Sequence, residues 1–321
     1  LSFNENVITL QIIPAERLGS PPRVETIPGN FSLPMDNVAE TVSRRPRPRL
    51  WLDRVTPTAL IRMDGEIRQG GPNIWRRLTV PDPALFAAHA FRQALDSEGI
   101  AVSEADSAIH LSKFSRITGR QSWAPRLIGA EEPRLIARHT SVELIDYLTV
   151  MNQESHNLFA ETILKTVAKV AQGEGSFKGG AQAIRSYTAG VIGLSGDQIQ
   201  ATDGSGLSGR NRASAGAFVH ILAYVAKSAY WESFLSTLPQ AGRSLRRMYR
   251  TPAARNLTAK TGTIDGVSAL TGVVTARDGE TLLFSILSND VVSTSAAKRV
   301  ENQFGMRLAE FRRDAEASSD F

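Results

Sequence analysis

The stretch LTAKTGTIDGVSALTGVV, residues 257–274, contains the pattern that decides the fold of the last part of this chain. It combines a compact Lys-Thr-Gly triplet at 260–262 with an alternating apolar run. Alternation with a period of two predicts a strand over 266–275. A second β-type run at 281–288 follows the turn sequence Arg-Asp-Gly-Glu, so the two strands are predicted to form an antiparallel hairpin.

Far upstream of this hairpin, the first part of the chain has the pattern of a small α+β unit. Its predicted strands are residues 7–13, 51–55, 59–63 and 75–80. Asp82 and Pro83 then predict the start of a helix that ends at Gly99. The apolar face expected for this helix is made of Leu85, Phe86, Phe91 and Leu95.

Between these two parts, from about residue 138, the pattern becomes mainly helical. Predicted helices are 141–148 capped by Ser141, 158–170, 181–191, 215–227 after Ser214, and a last one from near Ser295. The 158–170 helix is expected to bury Leu158, Ile163, Val167 and Val170. The chain is therefore predicted to be an α/β (α+β) protein with two domains, 1–128 and 129–321.

The composition of the 321 residues excludes several classes of protein. The net charge of +5 is weak evidence for a nucleic-acid partner, and we expect none. The arginines of 44–54 are interrupted by three prolines, which favours a solvated loop and edge strand over a polyanion site. Because the chain has no cysteine, it has neither disulfides nor a cysteine nucleophile. No apolar run reaches the roughly 18 residues of a membrane span.

Two short stretches besides the Lys-Thr-Gly triplet could contribute to chemistry. Ser155-His156-Asn157 precedes a predicted helix, and taken alone it is typical of a helix cap. Ser205 lies between two glycines, but the strand and helix of a nucleophile elbow are missing there, which favours a structural turn. The five histidines are scattered and have no metal-ligand spacing, so neither a metal nor a cofactor is expected.

In this order along the chain, these stretches resemble the D-alanyl-D-alanine carboxypeptidase/endopeptidase family, the class C low-molecular-mass penicillin-binding proteins. The matching text includes SVELIDYLTVMNQESHNLFAETILKTVA (141–168), DGSGLSGRNRAS (203–214) and AKTGTIDGVSALTGVV (259–274). The resemblance implies a transpeptidase or serine β-lactamase-like fold of three layers, with an antiparallel sheet between helices. It makes residues 1–128 part of a β-rich inserted accessory domain and 129–321 the C-terminal part of the transpeptidase-like domain.

The resemblance also implies roles for six residues. Ser155 and Asn157 would form the Ser-x-Asn motif, and Lys260 the cation of Lys-Thr-Gly; these three are the expected catalytic residues. Thr261, Gly262 and Thr263 would bind substrate along a strand edge.

The nucleophile of the family belongs to a Ser-x-x-Lys motif that precedes all the stretches quoted above, so we expect no nucleophile in this chain. The chain opens without a methionine or a signal sequence, and its start is expected to be processed, truncated or a fragment start. Ser295-Ala296-Ala297-Lys298 matches the motif in the wrong order. We interpret it as a surface helix start, with Ser295 as a cap.

The function implied is that of a serine-type D-Ala-D-Ala carboxypeptidase/endopeptidase, acting on peptidoglycan stem peptides through an acyl-enzyme and inhibited by β-lactams. Such a protein is exported to the periplasm, free or associated with membrane or wall. Two alternatives stay open from the sequence. One is a non-catalytic relative that binds peptidoglycan or a partner, and the other is a β-lactamase-like hydrolase, which would need a deacylating glutamate.

Overall fold

The computed structural model describes residues 2–29, 34–43, 49–55, 60–101 and 138–313. The chain divides into two compact units, Leu1–Glu132 and Pro133–Phe321. The expected domain boundary near residue 128 lies outside the described residues, as do Arg44, Arg45 and Arg47.

The first unit is built on two small sheets. In one, β1 (Val7–Ile13) lies between β2 (Arg23–Ile27) and β7 (Ile74–Thr79), antiparallel to both. In the other, β6 (Ile61–Arg68) pairs antiparallel with β5 (Arg49–Arg54) and parallel with β3 (Met35–Asn37) and β4 (Glu40–Val42). The four strands predicted in this part are confirmed, with ends that shift by a few residues. β5 is an edge strand, as the Arg-rich sequence predicted.

The helix of the first unit, α1 (Pro83–Ser97), begins as predicted: the Asp82 carboxylate accepts a hydrogen bond from the Leu85 amide at 2.9 Å. The prediction of its apolar face is wrong. Phe86 is buried against Ile8 and Val80, whereas Phe91 is 66% exposed. Five residues along a helix correspond to a rotation of about 140° beyond one full turn, so these two rings cannot share one stripe.

The second unit contributes helices and three longer strands. The helices are α2 (Leu144–Gln153), α3 (Asn157–Gln172), α4 (Phe177–Tyr187), α5 (Ala215–Val225), α6 (Trp231–Thr237) and α7 (Thr294–Glu310). A π-helical turn, Thr188–Ile192, continues α4, and the short strands β8 (Ile199–Gln200) and β9 (Arg212–Ala213) pair before α5. The predicted helices of this part all exist, within a few residues at their ends.

Two of the predicted helix caps are wrong. Glu143, and not Ser141, precedes α2, and α7 is capped by Ser293, whose hydroxyl accepts from the Ala296 amide, and not by Ser295. The Ser214 cap of α5 is confirmed.

The buried face of α3 consists of Leu164 and Ala168, whereas Val170 is 84% exposed. The reason is the close approach of α4, where Gly180 lies so near Leu164 that a Cβ there would clash at 2.4 Å. The contact of two helices therefore selects a face that periodicity did not indicate.

The three longer strands form an antiparallel sheet in the order β10 (Leu257–Ile264), β11 (Val267–Thr275) and β12 (Thr281–Ser288). The predicted β11–β12 hairpin is confirmed. The apolar alternation did not predict β10, the strand that carries Lys-Thr-Gly itself, because its sequence is largely polar beyond Ala259. The mixed α/β class with an antiparallel sheet is confirmed.

Helix α7 covers one face of this sheet. Leu257, Ala259, Leu270 and Val274 are buried there with Ala309 of α7. Gly305 of α7 lies so close to Leu257 that a Cβ would come within 2.7 Å of its side chain. Since side chains alternate along a strand, Lys260 points to the opposite face, while Thr261 and Thr263 point to the α7 face. Helix α5 also packs against β11 and β12.

Candidate active site

The candidate site is built on the outer edge of β10. The first half of this edge is occupied, because Ala259 donates its amide to Pro239 O at 2.9 Å and Leu257 O accepts from the Ala241 amide at 2.8 Å. In an antiparallel strand every second residue turns its backbone groups to the same side. The amides and carbonyls of Thr261 and Thr263 therefore face the open part of the edge, where an extended peptide can pair.

Lys260 makes the contact that links the two expected motifs. Its Nζ donates to Ser155 Oγ at 2.6 Å and to Thr261 O at 2.8 Å, across 105 residues of sequence in the first case. The side chain is half-buried, and this burial lowers the pKa of the Lys260 ammonium below the ordinary lysine value. A lysine amine with a depressed pKa beside a serine hydroxyl loses its proton more readily than an ordinary lysine, which suits it to proton transfer.

Ser155 lies in the tight turn between α2 and α3. Its backbone has a left-handed φ of +52°, which is uncommon for a residue other than glycine. The helix cap is His156, whose Nδ1 accepts a hydrogen bond from the Phe159 amide at 3.3 Å. The centroids of the His156 and Phe159 rings are 4.0 Å apart. The stretch does cap a helix, as its sequence predicted, but the cap is His156, while the serine hydroxyl meets Lys260.

A cleft of about 590 Å³ collects all six expected site residues. Ser155 and Asn157 line one side, at the start of α3, and the β10 edge lines the other. The complete lining is Met151, Asn152, Ser155, His156, Asn157, Ala160, Gly204, Ser205, Gly206, Leu207, Phe218, Lys260, Thr261, Gly262, Thr263 and Ile264. Asn157 is solvent-exposed and free to meet a ligand in this cleft.

A loop around Ser205 forms a further wall of the cleft, and Glu161 holds it in place. The Glu161 carboxylate accepts the amides of Gly204 at 2.9 Å and Ser205 at 3.1 Å. Within the loop, the Asp203 carboxylate accepts hydrogen bonds from the Gly206 and Ser208 amides. The prediction of a structural turn at this position is confirmed.

Glu161 was missed from the sequence because its partners are 43 and 44 residues away, so no local pattern marks it. Asn152 was missed for the same reason. It donates to Thr237 Oγ1 at 2.8 Å and ties α2 to α6 beneath the cleft.

The Ser-x-x-Lys match at 295–298 lies elsewhere. Ser295 is in the exposed first turn of α7 and is absent from the lining of the cleft. In the part of the chain that the structure describes, no three His, Asp or Glu side chains are grouped as metal ligands would be. Nor does any described helix have the length and apolar character needed to cross a membrane.

Comparison with known proteins gives a consistent result. The model of the D-Ala-D-Ala carboxypeptidase 3 (S13) family matches residues 1–311. A D-alanyl-D-alanine carboxypeptidase of Actinomadura sp. (strain R39) is 29% identical over 317 residues, which is 96% of this chain and 55% of the relative. Carboxypeptidase DacB of Mycolicibacterium smegmatis is 34% identical over 168 residues, or 50% of this chain and 36% of the relative. The chain thus spans about half the length of these curated relatives or less.

Solved structures agree on the fold. The crystal structure of penicillin binding protein 4 (dacB) from Haemophilus influenzae superposes with a TM-score of 0.70 at 20% identity, covering 96% of this chain and 66% of that one. The same protein in complex with a β-lactam gives a TM-score of 0.69 at 21% identity, covering 96% and 69%. This likeness supports the layered penicillin-binding fold expected from the sequence. Because the family model matches nearly the whole sequence, this chain belongs to the D-Ala-D-Ala carboxypeptidase 3 (S13) family.

Proposed function

We propose that the protein containing this chain is a serine-type D-Ala-D-Ala carboxypeptidase/endopeptidase that acts on peptidoglycan stem peptides and is acylated by β-lactams. The observation that carries the proposal is the 2.6 Å hydrogen bond from Lys260 Nζ to Ser155 Oγ in a cleft that also contains Asn157. This bond joins two motifs whose only relation in the sequence is their order. Neither the non-catalytic alternative nor the β-lactamase alternative has an observation in its favour.

In the proposed reaction, the nucleophile is a serine of a Ser-x-x-Lys motif outside this chain. Its hydroxyl gives its proton to the lysine of the same motif as the oxygen attacks the carbonyl carbon of the penultimate D-alanine, and the peptide bond to the last residue breaks. The departing amine takes up a proton, which Ser155 Oγ can pass on while Lys260 Nζ replaces it. Water then attacks the ester and restores the serine.

The neighbouring residues bind and orient the peptide. The outward-facing backbone groups at Thr261 and Thr263 pair with the substrate as an added strand, and the Thr261 carbonyl also keeps its hydrogen bond from Lys260 Nζ. The Thr263 amide can donate to the developing oxyanion. The side-chain amide of Asn157 holds the peptide from the other side of the cleft. The positive charge of Lys260 and the hydroxyl of Thr261 attract the terminal carboxylate.

The first unit fits the role of an inserted accessory domain, with 1–128 as its share of this chain and 129–321 as the C-terminal part of the catalytic domain. The place of action proposed is the periplasm, where the peptides of the cell wall are accessible. Association with membrane or wall is compatible with the positive net charge of +5.

The decisive experiment is intact-mass analysis of the full-length protein from its source cells, with and without benzylpenicillin, followed by peptide mapping. We expect one covalent adduct, on a serine upstream of Leu1. An adduct on Ser295 or Ser205 would overturn the assignment of the motifs. No adduct at all would favour a binding protein that keeps the walls of the site without its nucleophile.

A further inference from the structure

A second cleft, of about 580 Å³, lies beside the same strand edge, and it is lined by Gln153, Glu154, Arg243, Ser244, Leu245, Arg246, Arg247, Thr261, Thr263 and Lys298. We name it the cationic cleft. Thr261 and Thr263 also line the first cleft, so the two share a wall. The cationic cleft lies on the α7 face of β10, and Lys298 reaches it from α7.

One of its four cations has a structural task. Arg247 is largely buried, and its Nη2 lies 2.7 Å from Glu301 Oε2 of α7. Its Nε donates to Asn302 Oδ1 at 2.7 Å and its Nη2 to Lys298 O at 2.9 Å. Arg247 therefore fixes its own segment to α7. This determines where the neighbouring arginines lie.

The other three cations have no such task. Arg243, Arg246 and Lys298 make no ion pair with any residue of the described ranges, and both arginines are exposed. Glu154 is the one carboxylate in the lining of this cleft. Three cations against one carboxylate leave an excess of two positive charges. Like charges brought together in a cleft repel one another and concentrate anions there.

We propose that Arg243, Arg246 and Lys298 form a subsite for a second carboxylate, carried by the C-terminal part of the peptide that leaves in the reaction. The inference rests on the proposed function, in which the terminal carboxylate lies at Thr261. From there, a side-chain carboxylate of the same leaving residue extends past Thr263 into the cationic cleft. The enzyme would then prefer an acidic leaving group to a single D-alanine.

The test compares two synthetic peptides with the same N-acylated donor part, one ending in D-Ala-D-Ala and the other in D-Ala-D-Glu. Release of the last residue by the full-length protein gives kcat/KM for each. In the double variant Arg243→Gln/Arg246→Gln we expect the value for the D-Glu peptide to fall about ten-fold, since charge-assisted hydrogen bonds are lost. The value for the D-Ala peptide should change less than about two-fold.

Two further variants sharpen the test. Lys298→Met removes the positive charge that α7 contributes to the subsite. Like the double arginine variant, it should lower kcat/KM for the D-Glu peptide relative to the D-Ala peptide. Glu154→Gln removes the opposing charge and should raise that preference. The matched control is Arg299→Gln, which removes one exposed positive charge at the next position of α7 without touching the cleft lining.

The possible outcomes distinguish a failure of the proposed subsite from a failure of the proposed activity. Equal D-Glu to D-Ala ratios in the wild type and the three cleft variants would overturn the subsite and leave the proposed function standing. A ratio that changes equally in Arg299→Gln would also overturn it, because the effect would then be one of net charge. No release from either peptide by the wild type would overturn both. An unchanged rate of benzylpenicillin acylation in the variants verifies that they are folded.

Discussion

Lys260 is the residue on which the site depends, since its amine meets Ser155 Oγ at the point where the two motifs converge. We predict that Lys260→Ala in the full-length protein lowers D-Ala release by at least about a hundred-fold, as expected when a proton-transfer group is lost. The assay is release of D-alanine from a D-Ala-D-Ala peptide. Lys227→Ala, at an exposed lysine after α5, is the matched control and should keep full activity. Normal turnover in Lys260→Ala would refute the site.

The depressed pKa of Lys260 gives a second prediction at the residue scale. Burial disfavours the ammonium form, so the proton is lost at a lower pH than from an ordinary lysine. An NMR titration of ¹³Cε-labelled lysines should show one resonance that titrates early and that is missing in Lys260→Arg. Because burial is the cause, the early titration should persist in Ser155→Ala. A return to the ordinary pKa in that variant would show that the hydroxyl, and not burial, is responsible.

At the scale of elements, the position of β10 depends on its close approach to β11 at Gly272. A Cβ on Gly272 would come within 2.2 Å of Thr258 O and 2.5 Å of the Ala259 Cβ. Gly272→Ala should therefore push the Lys-Thr-Gly strand outward, at a cost of about 1–3 kcal/mol in the free energy of unfolding.

We expect benzylpenicillin acylation of Gly272→Ala to slow as well, because the strand edge moves. Gly190→Ala is the control, since a Cβ there meets open space. Urea denaturation and the acylation rate measure the two effects. If Gly272→Ala and Gly190→Ala have the same free energy of unfolding and the same acylation rate, the role given to Gly272 is contradicted.

At the scale of the whole molecule, a buried ion pair joins parts of the chain that are far apart in sequence. Glu301 of α7 is fully buried; it lies 2.7 Å from Arg247 Nη2 and accepts from the buried Ser268 hydroxyl of β11 at 2.5 Å. Arg247→Met or Glu301→Leu alone leaves one uncompensated buried charge. We predict a loss of about 3–5 kcal/mol for each single variant.

The double variant Arg247→Met/Glu301→Leu leaves no buried charge, so it should lose less stability than either single variant. A double-mutant cycle of urea denaturation in the full-length protein measures this coupling. If the two single losses simply add, the pair is not the unit that fastens α7 to its neighbours.

The elements whose sequences repeat with a clear period were predictable. β1, β11, β12 and the caps Asp82 and Ser214 follow from local patterns of apolar, turn and cap residues, and the structure has them at or near the predicted positions. The failures have one cause. The buried face of α3, the strand character of the polar β10 and the role of Glu161 are set by partners on other elements, which a local apolar pattern does not encode.

By itself, the sequence determined the family and the order of its motifs, since motif residues are recognisable without coordinates. It determined also which strands and helices form, because propensity and periodicity act over a few residues. Only the tertiary structure decided that Lys260 meets Ser155, that His156 is the residue that caps α3, and that three cations without an ion pair among the described residues gather beside Thr263. Those contacts form only when separate elements pack together. Packing brings residues that are far apart along the chain close together in space, and their sequence separation does not predict this.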